Sequence, residues 1–80
     1  MVAAFVFIKV SEMTGWADAQ AMHKALHGVP NVKTVHFLAG PTDIIAFVEA
    51  ADQNALIESV AKMHAVKGVG STDTRIVFPV

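Results

Sequence analysis

Two strand-length segments of this chain are apolar on both faces, and that limits its fold more than any other feature. Ile44-Ile45-Ala46-Phe47-Val48 follows directly on a Gly40-Pro41-Thr42-Asp43 corner. The opening segment from Ala3 to Val10 puts Ala4, Val6, Ile8 and Val10 on one side and Ala3, Phe5 and Phe7 on the other. Successive side chains of a strand point to opposite faces, so neither segment keeps a polar face for water. Each therefore calls for cover on both sides. Eighty residues make one domain, 1–80, with no second lobe to supply that cover. At 54% hydrophobic and 16% charged, the composition excludes disorder and predicts that the chain associates with itself.

The segments between read as two helices and two further strands. Trp16, Ala19, Met22, Leu26 and Val29 recur at three- and four-residue steps, with Thr14 as the expected N-cap and Gly28-Val29-Pro30 as the stop. From Asn31 to Ala39 the chain alternates: Val35, Phe37 and Ala39 fall on one side, Thr34, His36 and Leu38 on the other, as in a half-buried strand. The corner has hairpin chemistry, because glycine tolerates positive φ and proline presets its own. Asp52 suits an N-cap for a second helix carrying Leu56, Ile57, Val60, Met63 and Val66 and running to Gly68. Thr72 to Phe78 closes the chain as a strand, with Pro79 at its end.

The two halves echo each other, since Leu26-His27-Gly28-Val29-Pro30-Asn31-Val32 lines up with Met63-His64-Ala65-Val66-Lys67-Gly68-Val69. Two matching strand-helix-strand halves joined by a hairpin predict a ferredoxin-like βαββαβ fold of the α+β class, a four-stranded antiparallel sheet with both helices on one face. The other face would then be bare and oily. Burying a large apolar side chain is worth roughly 1.5–3 kcal/mol, so the expected solution is a symmetric dimer with the two sheets face to face.

Charge and residue inventory exclude several functions. The net charge is −1 and the 6 cationic residues are scattered, which argues against direct nucleic-acid binding. With no cysteine there is neither a disulfide framework nor a thiolate site, and a cytoplasmic location is expected. The apolar opening is too short to span a bilayer, so no membrane association is predicted. His23 and His27 have metal-ligand spacing, with His36 and His64 in reserve. Yet His27 and His64 occupy matching helix ends, where the dipole favours an imidazolium, and no metal or other cofactor is predicted. There is no Gly-rich phosphate loop, no GxSxG and no tyrosine. Catalysis would fall to His36 with Asp43 or Glu49 across neighbouring strands. Asp43 has two open readings, a turn cap or an acceptor for the ammonium of a free α-amino acid whose carboxylate is held by backbone N–H groups. Thr72 and Thr74 alternate onto one face and can share a ligand.

Taken together, the opening AFVFIKV, the turn GVPNVKTVHFLAG, the G-x-x-D corner before IIAFVEA, and the closing GVGSTDTRIVF with its Thr-x-Thr resemble the effector-binding (RAM) domain of the Lrp/AsnC family. The resemblance covers essentially the whole chain. It implies a dimeric α/β sandwich or barrel that assembles further into rings such as octamers, with amino-acid effectors bound between dimers near the corner. Carried over, Gly40 and the corner backbone would grip the ligand's carboxylate, with Pro41, which lacks an N–H, and Thr42 part of the corner; Asp43 would take its ammonium, and Thr72 and Thr74 would complete the wall. Full-length members begin with a helix-turn-helix domain, whereas the first strand starts here within a few residues, so a stand-alone module is expected. Its output would be assembly, with itself or with a full-length regulator. The expectation is a non-enzymatic effector-binding and oligomerisation module. The rival is a small dimeric α/β-barrel enzyme, similar to cofactor-free monooxygenases, using His36.

Overall fold

The two doubly apolar segments become the two central strands of one sheet. A computed structural model describes residues 1–11, 15–39 and 42–78. Its elements are β1 (Val2–Val10), α1 (Trp16–His27), β2 (Val32–Phe37), β3 (Ile44–Ala50), α2 (Gln53–His64) and β4 (Val69–Ile76). All strand pairs are antiparallel and the order across the sheet is β2-β3-β1-β4. This is the ferredoxin-like α+β arrangement that the repeat predicts.

The β1–β3 register runs from Val2 opposite Ala50 to Ile8 opposite Ile44. It sets Ala4, Val6 and Ile8 beside Val48, Ala46 and Ile44 on one face, all fully buried. Met22 and Leu26 of α1 and Leu56 and Met63 of α2 close over that face to form a single core. The opposite face carries Phe5 and Phe7 beside Phe47 and Ile45, and no helix among the described residues covers it. The Phe5 and Phe47 rings meet at 5.1 Å with a 50° tilt, and the Arg75 guanidinium lies 5.2 Å above Phe7. Phe5 remains 41% exposed even with these neighbours.

Each helix leaves through the same turn. Gly28 N–H donates to Lys24 O at 3.0 Å and Ala65 N–H to Ala61 O at 3.1 Å; Val29 N–H donates to Leu26 O and Val66 N–H to Met63 O, both at 3.1 Å. The turn exits are also matched, since Asn31 O accepts from Glu49 N–H at 2.9 Å and Gly68 O from Ser11 N–H at 2.8 Å. The halves are then locked together by Ser59, which is 2% exposed. Its hydroxyl lies 2.8 Å from Pro30 O and 3.0 Å from Ala55 O and accepts from Asn31 Nδ2 at 3.1 Å. A buried hydroxyl needs such partners, and here they tie α2 to the α1–β2 turn.

Several local expectations shift. Gly15, with φ 141° and no side-chain cap, holds the N-cap position of α1; Thr14 lies outside the described residues. Asp52 caps α2 as expected, accepting from Ala55 N–H at 2.8 Å. That helix ends at His64 rather than near Gly68, because Ala65 to Gly68 form the repeated turn. β4 starts at Val69, not Thr72, because Val69 pairs with Val10 across an irregularity at Lys9/Val10. β2 is shorter than its alternation implies, and a second irregularity between Val32 and Thr34 buries Val32 and Val35 together. Trp16 and Ile57 share the helical periodicity yet are 76% and 57% exposed. Trp16 is the first helical residue, and Ile57 is turned about 100° around the axis from buried Leu56.

Candidate functional site

The β2–β3 corner is fixed to β1 from both ends of one residue. Asp43 N–H donates to Ile8 O at 3.2 Å, Asp43 O accepts from Leu38 N–H at 2.8 Å, and the carboxylate Oδ2 accepts from Val10 N–H at 2.8 Å. β1 runs past the start of β3, so Val10 has an amide with no strand partner on that side, and Asp43 supplies one. A carboxylate accepting from a main-chain N–H makes one of the stronger kinds of hydrogen bond. Oδ1 keeps no partner among the described residues. The turn-cap role is thus filled by one carboxylate oxygen. Thr42 stands half-buried beside it, while Gly40 and Pro41 fall outside the described residues.

Thr72 and Thr74 come together, but elsewhere. They pair with Ile8 and Val6, which puts them on the helix side of the sheet. There they line a hollow of about 550 Å³ between α2 and β4, with Ile57, Val60, His64 and Ile76. Because β1 lies between β3 and β4, the corner and this hollow are two strand spacings apart, roughly 10 Å. Within one chain the four described ligand candidates form two groups, Thr42 with Asp43 and Thr72 with Thr74.

A second hollow, of about 500 Å³, lies between α1 and β2 and is lined by Trp16, Gln20, His23, Val35, His36 and Phe37. It is the repeat counterpart of the first: Trp16, His23, Val35 and Phe37 correspond to Gln53, Val60, Thr72 and Thr74. His23 donates Nε2–H to Val35 O at 3.2 Å, and its ring lies 5.8 Å from that of His27 and 6.0 Å from that of Phe37. His36 faces Ile45 across the strands and makes no hydrogen bond to Asp43 or Glu49 among the described residues. The Glu49 amide belongs to the far end of β3, bonded to Asn31. No base with an orienting carboxylate is therefore assembled there. Among the described residues no three His, Asp or Glu side chains are grouped to hold a metal ion.

The Val10 amide that engages Asp43, and the equivalence of the two hollows, were not singled out from sequence. The signal for the second was present in the repeat. The first depends on how far β1 overruns β3, which no local pattern encodes.

A two-half ferredoxin-like sheet with an uncovered apolar face and hollows at both edges defines a small binding domain. The Lrp/AsnC ligand binding domain model matches residues 3–79, and the chain belongs to that family. An uncharacterized HTH-type transcriptional regulator from Pyrococcus furiosus is 33% identical over 76 residues, 94% of this chain and 50% of the regulator. Homocitrate synthase from Sulfurisphaera tokodaii is 42% identical over 58 residues, 72% of this chain and 13% of the enzyme. The chain thus spans half or less of these curated relatives. Among solved structures, a Thermus thermophilus protein is 30% identical with a TM-score of 0.83, over 100% of this chain and 96% of that one. E. coli AsnC shares the fold, with a TM-score of 0.80 at 22% identity over 99% of this chain and 53% of its own. No helix among the described residues is long and apolar enough to cross a membrane.

Proposed function

We propose that this domain binds an amino acid or closely related metabolite at a boundary between copies and reports it by changing its state of assembly. The observation that carries the reading is an anchored corner next to an uncovered apolar sheet face. Asp43 is held by Val10 through one oxygen, and its other oxygen is available to an ammonium group. Phe5, Phe7, Ile45 and Phe47 form an apolar surface that a second copy covers by sheet-to-sheet pairing. Gly40, Pro41, Thr42 and Asp43 of one copy make the anchoring half of the site. Thr72 and Thr74 lie too far away on the same chain, so a neighbouring copy contributes them.

The relatives support this division of labour. The matching segment occurs in a helix-turn-helix regulator and in an enzyme, two hosts whose outputs have nothing in common. A part shared by both fits sensing better than a chemistry of its own. Ligand at a subunit boundary stabilises the assembly that presents the site, and by reciprocity that assembly binds it more tightly. Rings such as octamers, or mixed assembly with a full-length family regulator, would carry the signal onward.

Thermal-shift measurements with each of the twenty amino acids test the reading. Ligand at a hundredfold excess over its Kd adds about 2.7 kcal/mol, and each kcal/mol moves the melting point of a domain this size by roughly 4–8 °C. The expected result is a clear rise with one or a few amino acids that is lost in Asp43→Asn. That substitution keeps a carbonyl oxygen for the Val10 amide while removing the charge and turning the second oxygen into an NH2 donor. No rise with any of the twenty would sink effector binding; a rise unchanged in Asp43→Asn would remove Asp43 from the site.

A further inference from the structure

The internal repeat allows the two edges of the sheet to be compared residue by residue, and they differ. At the β2 edge His23 caps the carbonyl of Val35 with its Nε2–H. In the second half Val60 stands where His23 stands and Thr72 where Val35 stands, and an aliphatic side chain has nothing to donate. β4 is the last strand of the sheet on its side. Val77 N–H donates inward to Ala3 O at 2.8 Å, and bonding direction alternates along an antiparallel strand. The N–H and C=O groups of Thr72, Thr74 and Ile76 therefore point outward. An edge left in this state is a template for another strand.

β4 complements itself. When Thr72-Asp73-Thr74-Arg75-Ile76 is paired antiparallel with a copy about Thr74, Asp73 of each chain faces Arg75 of the other, and Thr72 of each faces Ile76. The outward groups of Thr72, Thr74 and Ile76 then meet their counterparts in hydrogen-bonded positions. Asp73 and Arg75 fall in the alternate, non-hydrogen-bonded positions, where Cα atoms approach to about 4.5 Å and side chains are closest. Opposite charges placed there favour pairing. Both side chains are mostly exposed and bond each other within the chain at 3.1 Å, so exchanging partners across the seam needs little rearrangement. On the helix side, Ile76 of the second copy arrives over Thr72, at the open mouth of the α2–β4 hollow beside exposed Ile57.

We propose that β4 is a docking strand for a second copy of this chain, which pairs with it antiparallel about Thr74 and joins two sheets into one. The interface is isologous, and each chain gives and receives the same contacts. It uses the sheet edge, not the Phe5–Phe47 face, and so does not rest on effector binding or on face-to-face pairing. Together the two contacts extend a dimer into a larger assembly.

Light scattering and sedimentation of the full chain at micromolar concentration decide the matter with four variants. Thr74→Pro removes an outward N–H and leaves the β1–β4 ladder intact. Arg75→Asp sets like charges across the seam, and the exchange D73R/R75D restores opposite ones. Phe47→Glu charges the bare face. The expected result is a fall to the mass of a dimer with Thr74→Pro and with Arg75→Asp, return of the wild-type mass with D73R/R75D, and monomers when Phe47→Glu is combined with Thr74→Pro. If Phe47→Glu lowers the mass while Thr74→Pro and Arg75→Asp leave it at the wild-type value, β4 pairing is overturned and face pairing stands. The reverse pattern removes face pairing and leaves the docking strand. Should Thr74→Pro lose its native circular dichroism, the charge series decides by itself, and a D73R/R75D protein no larger than Arg75→Asp overturns the proposal.

Discussion

Asn31 and Gly68 hold the same left-handed backbone conformation at matching turns, with φ of 73° and 95°. Each carbonyl then accepts an amide from the end of a neighbouring central strand, Glu49 for Asn31 and Ser11 for Gly68. One half solves the turn with glycine. The other uses asparagine, the residue that best tolerates this region after glycine, and gives its side chain a second task at Ser59.

Gly68→Ala is expected to lower stability by about 1–2 kcal/mol, the cost of a Cβ in the left-handed region. Asn31→Gly relieves the backbone but deletes the bond to Ser59, so its net effect is the smaller of the two. Urea midpoints at unchanged slope measure both. Equal stability of Gly68→Ala and wild type would contradict the turn geometry.

Ser59→Ala removes the partner of both Asn31 Nδ2 and Pro30 O inside the protein. The predicted loss is about 1–3 kcal/mol, the penalty for stranding a buried polar group. Combined with Asn31→Gly it should cost less than the separate losses added, because the two residues share one network. Strict additivity in the double-mutant cycle would place them in separate networks.

At the corner, Asp43→Ala leaves the Val10 amide unpaired, and a destabilisation of about 1–3 kcal/mol is expected. Asp43→Asn should retain most of that stability, since its amide oxygen still accepts. Hydrogen exchange at Val10 gives the local readout: faster exchange in the alanine variant, near wild type in the asparagine variant. Identical exchange in all three proteins would show that the carboxylate does not hold β1.

Phe47→Glu is expected to lower the solution mass to that of a dimer by breaking the sheet-face contact while leaving the fold intact, because Phe47 sits outside the helix-covered core. Wild-type stability should also fall on dilution, as it does when folding and association are linked. A wild-type protein that stays monomeric in light scattering at micromolar concentration rules out face-to-face pairing.

Element order and helix identity were legible in the chain alone. They rest on periodicities of two and 3.6 and on the internal repeat. Asp52 was legible for the same reason, since an N-cap bonds within its own first turn. Trp16 and Ile57 misled because spacing assigns a residue to a helix face without saying whether a strand lies beneath it. Ser59 gave no local sign of burial, and two of its three partners, Asn31 and Pro30, are almost thirty residues away.

The candidate site divides along the same line. Residue types at the corner and the Thr-x-Thr could be read directly, because each is a short contiguous pattern. Their relationship could not. The order β2-β3-β1-β4 inserts β1 between Asp43 and Thr72, turns the carboxylate onto Val10, and sends both threonines under α2. Those outcomes depend on pairing between segments far apart in the chain. Local pattern encodes which face of a strand is apolar, whereas neighbour and register are settled by packing of the whole molecule.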